Sequence, residues 1–531
     1  MGQRKHASAS QNGRGESHVT VAIVGTGFSG LCMAIKLKEA GIHDFVLLER
    51  AGGIGGTWRD NTYPGCACDV PSHLYSLSFE PSTKWSRVYA RQPEIQAYLE
   101  KCFDKYDVRS RVRFHSKVTG AEFDGARWRI TINDGEEITA DILVAGAGGL
   151  SNPAYPDLPG RDRFRGAQFH SSTWDHDYDL AGKRVAVIGT GASAIQFVPE
   201  IQPKVENLFL FQRTAPWVLP RPDRAFRRAE LFAFEKLPGV RWLYRQAIYW
   251  QHEWRAFGFT AHPGILKVAA GMGRRHIRRS IRNPELRKAV TPHFTPGCKR
   301  ILMSNDYYQA LDQPNVDVLT GGIAEIKEHS VVTRDGREIP VDAIIYGTGF
   351  TVHEYTGPMK IRGRGGVDLH TAWKDGAQAY LGTTISGFPN LFVLTGPNTG
   401  LGHNSMVYMI EAQVHYVMEA IKLMRERSLS FVDVRETLQK RYNEALQKRL
   451  EGSVWSTGCS SWYLDKNGKN TTLWPSFTFA FRARTRRFEP RDYELAAADS
   501  HPGRPERKKP HEKALNGRAS LSGMAKDEPA A

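Results

Sequence analysis

The chain has 531 residues, more than one ordinary domain holds, and its 41% hydrophobic and 11% aromatic content suits a globular enzyme with a large core. No run of about 18 apolar residues occurs and Met1 to His18 is polar, which excludes a transmembrane helix and a secretory signal and makes a cytoplasmic protein the expectation. The net charge of +16 favours anionic ligands or surfaces, but no nucleic-acid-binding module accompanies it.

In chain order, residues 1–18 read as a flexible tail. His18 to Val24 is a β-branched apolar run expected as a buried strand, Thr26 to Ala40 as a helix, and Phe45 to Glu49 as a second strand. That is one βαβ unit of a parallel sheet. Lys183 to Ile188, Ala192 to Ile201 and Leu208 to Gln212 repeat it. Residues 221–300 are rich in Trp, Phe, Tyr and Arg at helical spacing and read as a helical insert. A buried strand and Gly turn return at 339–349, a further strand at Asn390 to Pro397, and a long helix at Asn404 to Arg425. From about Ala496 the chain is Pro-, Lys- and Glu-rich and reads as disordered. The expected fold is α/β, with two Rossmann-like dinucleotide domains and a helical insert. The first nucleotide-binding unit is placed at 19–150 and 381–495, the second at 151–220 and 301–380, the insert at 221–300 and a tail at 496–531.

Each repeat carries a glycine loop between strand and helix. In Gly25-Thr26-Gly27-Phe28-Ser29-Gly30 the first Gly makes the turn, the second admits a pyrophosphate, and the third packs helix on strand. The helix N-terminus then faces the phosphates. Glu49 ends the next strand, where a carboxylate accepts ribose hydroxyls. The second loop is Gly189-Thr190-Gly191-Ala192-Ser193-Ala194, with Ala at the third position, and Gln196 follows it. Its next strand ends at Gln212-Arg213-Thr214, without an acid. A carboxylate there would repel a 2′-phosphate, whereas Arg213 pairs with one, so NADPH is the expected nicotinamide nucleotide.

Between the loops lies Phe164-x-Gly166-x-x-x-His170-x-x-x-Trp174-Asp175. This stretch, with both loops, resembles the fingerprint of the type I Baeyer–Villiger monooxygenases, and the resemblance covers about residues 19–490. It implies that FAD occupies the first loop and NADPH the second. It implies further that Thr57, Trp58, Asp69, Tyr75, Val118 (through its backbone) and Met406 contact FAD. By the same resemblance Arg300 is the cation that stabilises a flavin C4a-peroxide, Asp69 anchors Arg300, Lys299 holds the NADP phosphate, and Trp462 closes over the nicotinamide. His170 supports the linker between cofactor domains rather than acting as a base. The implied activity is insertion of one oxygen of O₂ into ketones, giving esters or lactones, with sulfoxidation as a side activity. The residues after Arg300, Ile301-Leu302-Met303-Ser304, depart from the Pro that often follows this Arg in ketone-oxidising members, which leaves the substrate open.

Competing readings are an N- or S-oxidising flavin monooxygenase, whose motif usually ends in Tyr where Trp174 stands, and a disulfide reductase, which needs a CxxC that is missing. A non-enzymatic redox sensor is a further alternative. Cys32, Cys66, Cys68, Cys102, Cys298 and Cys459 read as reduced structural thiols, and no metal site is expected. The Arg274 to Lys288 cluster reads as a solvated helix face. The insert aromatics Trp242, Tyr244, Tyr249, Trp250, Trp254, Phe257 and Phe259 fit a pocket, a helical core or a lipid-facing surface. Oligomeric state is left open.

Overall fold

A computed structural model of the chain describes residues 17–260 and 262–497. Most of both expected tails lies outside the described residues. The parts within are ordered strand: Ser17 and His18 begin Ser17–Val24, and Ala496 and Ala497 end Tyr493–Ala497.

Ser17–Val24 is the centre of the first sheet because every residue from Val21 to Ile23 is apolar and fully buried, as a strand covered on both faces requires. It pairs in parallel with Phe45–Leu48 (Val24 opposite Leu48) and with Glu136–Ala145 (Val24 opposite Ala145). Val112–Arg113 adds beyond Phe45–Leu48. Trp128–Ile132, Val118–Phe123 and Lys360–Arg362 follow on the other side, and Leu391–Val393 also pairs with Glu136–Ala145. Helix Phe28–Glu39 is apolar on most of its surface because it is buried between this sheet and helix Met406–Glu426. It starts two residues later than expected, since Gly25 to Gly27 form the turn.

The second sheet is wholly parallel, in the order Val316–Leu319, Asn207–Phe211, Arg184–Ile188, Ala343–Tyr346, Ala167–His170. The fingerprint segment thus supplies its edge strand, with His170 opposite Tyr346. One expected assignment is displaced. Lys360–Arg362, placed with the second nucleotide unit, pairs with Val118–Phe123 in the first sheet, because its one inward side chain, Ile361, completes that sheet's core.

The insert is helical: Arg228–Lys236, Val240–Glu253, Arg255–Thr260, Leu266–Ser280 and Pro284–Ala289. Asn283 caps the last of these by accepting from Glu285 N at 2.9 Å. The insert is tied to the C-terminal part by buried Glu253, which accepts from Asn404 Nδ2 at 2.6 Å and Thr478 Oγ1 at 2.8 Å. Among the described residues no helix is long and apolar enough to cross a membrane.

Candidate active site

The two glycine loops are built alike. Gly25 has φ +96°, and a Cβ there would lie 2.7 Å from Gly146 O; Gly189 has φ +109°, and a Cβ would lie 2.4 Å from Gly347 O. Each first glycine therefore turns under the end of the neighbouring strand, where no side chain fits. The second glycines differ in kind. A Cβ on Gly27 or Gly191 would meet nothing closer than 3.9 Å or 3.7 Å, so the loop surface is open there, as backbone approach by a pyrophosphate requires. Both loops fit a dinucleotide on this count.

Around the first loop, Gly55 N donates to Thr26 O at 3.1 Å, which seats Thr57 and Trp58 beside it. Trp58 Nε1 donates to Tyr75 Oη at 3.1 Å, and Tyr75 packs edge-on against Phe28 at 5.2 Å. Phe28 and Ser29 are buried within the helix start. Met406 opens helix Met406–Glu426, capped by Ser405, while Val118 starts its strand 4% exposed in the sheet core. Glu49 is buried and already engaged. It accepts from Thr26 Oγ1 at 2.5 Å and from Ala51 N at 3.0 Å, and pairs with Arg59 at 2.9 Å. It thus fixes the glycine loop before any ribose is considered.

Around the second loop, Thr190 Oγ1 donates to Thr214 O at 3.1 Å, joining the loop to the end of the next strand. Arg213 is exposed there, and it bears on Lys299: burial, then the nearby Arg213 guanidinium, lowers the Lys299 ammonium. Neither cation has a carboxylate partner among the described residues. Two converging cations without a counter-ion suit a phosphate. Ser193 and Ala194 begin the following helix. Gln196 on that helix has its amide engaged across the two units. Oε1 accepts from Tyr63 Oη at 3.0 Å, and Nε2 donates to Ala67 O at 3.0 Å.

Asp69 and Arg300, 231 residues apart, meet side chain to side chain. Arg300 Nε donates to Asp69 Oδ2 at 3.0 Å, and Nη2 binds the same oxygen. Their side chains remain 35% and 32% exposed, so the fork is open to a ligand while held from behind. Burial alone would raise the Asp69 carboxyl, but the Arg300 charge, its hydrogen bonds and Arg221 outweigh burial and hold it below the usual range. The Asp69 carboxylate in turn raises Arg300 against its desolvation. Both stay ionised throughout the neutral range. Tyr463 lies against the pair, and burial pushes its hydroxyl up to about 12. Its neighbour Trp462 packs on it at a tilt, 4.3 Å between ring centres, and is 42% exposed.

His170 is fully buried and accepts from Ser172 N at 3.1 Å through Nδ1. Burial lowers it to about 4, so it is neutral and structural. Trp174 packs on Phe169 at 5.1 Å and on Phe197 at 5.3 Å, locking the fingerprint against the second nucleotide helix. Phe164 is buried beneath Gly166, and Asp175 caps its own turn by accepting from Asp177 N at 3.0 Å.

The cysteine expectation is corrected. Cys298 and Cys459 form a disulfide with Cα atoms 6.2 Å apart, because the fold brings the segment before Lys299-Arg300 against the segment before Ser461-Trp462. Cys32, Cys66, Cys68 and Cys102 are free and buried, and burial pushes Cys66 up to about 12, which leaves it a protonated thiol. The described residues hold no cluster of His, Cys, Asp or Glu able to bind a metal. Arg221 escaped notice amid so much basic charge. It donates to Cys68 O at 2.7 Å and adds positive charge beside Asp69.

A family model for pyridine nucleotide-disulphide oxidoreductases matches residues 22–225, the stretch containing both glycine loops. A Baeyer-Villiger monooxygenase of Pseudomonas aeruginosa is 54% identical over 482 residues, covering 90% of this chain and 92% of its own. An oxidized steroid monooxygenase bound to NADP superposes with a TM-score of 0.80 at 31% identity, over 91% of this chain and all of that one (100%). A crystal structure of OTEMO in complex with FAD and NADP gives 0.80 at 26% identity, over 91% and 100%.

Proposed function

The chain belongs to the Baeyer–Villiger monooxygenase family, and from that premise we propose how its own residues serve an FAD- and NADPH-dependent oxygenation. The overall reaction takes a ketone, O₂, NADPH and a proton to an ester or lactone, NADP⁺ and water. Sulfides are a second substrate class, and a cytoplasmic location is part of the same reading. Residues 19–150 and 381–495 hold FAD, and 151–220 and 301–380 hold NADPH, with strand Lys360–Arg362 belonging to the first sheet. The flavin, when bound, accepts hydride from NADPH and is the group at which O₂ is activated.

The protein supplies the rest. Gly25 to Gly30 with Thr57, Trp58, Tyr75, Val118 and Met406 would receive the flavin nucleotide, and Gly189 to Ala194 would receive the nicotinamide nucleotide. Arg213 and Lys299 take its 2′-phosphate, the contact that selects NADPH over NADH. Gln196 would border the nicotinamide nucleotide while its amide joins the two units. Arg300 would present a permanent cation to the anion that oxygen activation creates. Asp69 fixes the direction of that cation. Trp462, exposed on a shelf of Tyr463, covers the nicotinamide. His170 moves no proton.

The observation that supports this reading most strongly is the Asp69–Arg300 pair, joined by two hydrogen bonds yet open on its free side. Arg300→Ala tests it. The variant is expected to keep FAD and oxidise NADPH, but to release hydrogen peroxide in place of oxygenated ketone. Retained ester formation per NADPH consumed would remove Arg300 from the reaction.

A further inference from the structure

Helix Val240–Glu253 and its continuation expose an apolar stripe. Leu243, Ala247, Trp250, Trp254 and Phe257 follow one another at steps of four, three, four and three residues, which places them on one face. Trp242, Leu243 and Trp254 are 62%, 61% and 70% exposed. The opposite face, with Ile248, Tyr249, His252 and Glu253, is buried. The stripe is therefore not the helix's packing face; that face is already used.

The next helix continues the pattern with a change of chemistry. Ile265, Val268, Met272, Arg275 and Arg279 again step by three, four, three and four, so an exposed apolar end passes into a basic one along a single face. The two helices adjoin, since Phe257 packs on His262 at 4.6 Å and Gly258 lies against Ile265. Phe479, 44% exposed, extends the apolar patch beside Trp250.

Charge decides what this face meets. From Val240 to Arg282 the sequence carries Arg241, Arg245, Arg255, Lys267, Arg274, Arg275, Arg278, Arg279 and Arg282, against one carboxylate, Glu253, which is 1% exposed. Arg275, Arg278 and Arg279 are exposed and have no acidic partner among the described residues. A second copy of the chain would bring the same positive charge to the contact. An anionic bilayer surface brings the opposite charge, and it accepts Trp at the depth of its headgroups with apolar side chains just below.

We propose that the insert face formed by Trp242, Leu243, Trp250, Trp254, Val268 and Met272, with Arg275, Arg278 and Arg279 beside it, docks the enzyme reversibly on anionic phospholipid membranes. This goes beyond the oxygenation reading and does not rest on it. Docking of this kind holds the protein at the interface, without crossing it.

The test uses the full-length flavin-loaded protein and sedimentation with phosphatidylcholine vesicles, with and without phosphatidylglycerol. The wild type is expected to bind the phosphatidylglycerol vesicles, with release at high salt. Charge reversal by R275E/R278E/R279E is expected to weaken partitioning by at least roughly a hundredfold, since loss of each cation near the surface alone is worth about a fivefold factor. W242A/W250A/W254A is expected to weaken it by roughly tenfold or more through lost apolar insertion. All these positions are exposed, and flavin content reports folding in both variants. No binding to phosphatidylglycerol vesicles overturns the proposal, as does binding unchanged in both variants. So does a dimer in light scattering that the Trp substitutions dissociate while vesicles are ignored.

Discussion

Removing the Asp69 carboxylate is the sharpest perturbation of the site. The Asp69 side chain bonds Arg300 through Nε at 3.0 Å and through Nη2, so Asp69→Ala leaves the cation in place but releases its fork. A charge-assisted hydrogen bond contributes about 1.5–3 kcal/mol. The pair is about one-third exposed, so solvent screening argues for the lower half of that range. If that energy orients Arg300 for the reacting anion, kcat/KM for ketone oxygenation falls by about 10- to 40-fold at one decade per 1.36 kcal/mol. Reduction of the bound flavin by NADPH without O₂ is expected to be unchanged, because hydride transfer precedes the step that the fork serves. The assay is ester formed and hydrogen peroxide released per NADPH consumed, in wild type, Asp69→Ala and Asp69→Asn. Asp69→Asn keeps an acceptor oxygen and is expected to lie between the two. A variant whose ester yield per NADPH stays within twofold of wild type would refute the argument that Asp69 positions Arg300.

The other predictions concern cofactor choice, flavin retention and pH. Arg213→Ala is expected to raise the Kd for NADPH about tenfold while leaving NADH unchanged, because only the 2′-phosphate contact is lost; isothermal titration with both nucleotides checks it, and a preserved preference would contradict it. Gly25→Ala forces a Cβ to 2.7 Å from Gly146 O at φ +96°, so the protein is expected to purify with little flavin, read from absorbance in the visible. Burial pushes the Asp433 carboxyl up to about 6 despite its hydrogen bond from Gly387 N and Arg364 alongside. A carboxyl raised in the folded state binds more protons folded than unfolded between about pH 4 and 6, so its contribution falls as pH rises through that window. Tm of wild type is therefore expected to fall from pH 5 to pH 7 by more than that of Asp433→Asn, and equal slopes in the two proteins would count against the assignment.

The parallel cores were legible because a doubly covered strand has a plain signature. Val21 to Ile23 and Val185 to Ile188 are continuous apolar runs ending at Gly25 and Gly189, and both strands fall within a residue of expectation. The acid missing after Phe211 and the Lys299-Arg300 pair were equally visible, being local. What was not legible depends on chain return. Spacing could not show Asp69 meeting Arg300, which only the family resemblance supplied, nor Gln196 spending its amide on Ala67. The spacing of the six cysteines gave no sign that Cys298 and Cys459 pair across 161 residues. The insert aromatics stayed ambiguous for a different reason. Its main helix is apolar on two faces, so periodicity alone could not say that Tyr249 faces in and Trp250 faces out.

The Cys298–Cys459 cross-link also changes what unfolding means for this chain. It closes a ring of 161 residues that contains the last two strands of the parallel NADP-side sheet and the whole of helix Met406–Glu426. In a chain-entropy account a ring of that size removes about 5 kcal/mol of freedom from the unfolded chain. Mechanically, stretching the oxidised protein from its two ends cannot pay out the ring, which withholds about 540 Å of contour length at roughly 3.4 Å per residue. A single-molecule pulling trace would therefore distinguish oxidised from reduced molecules by their final length alone.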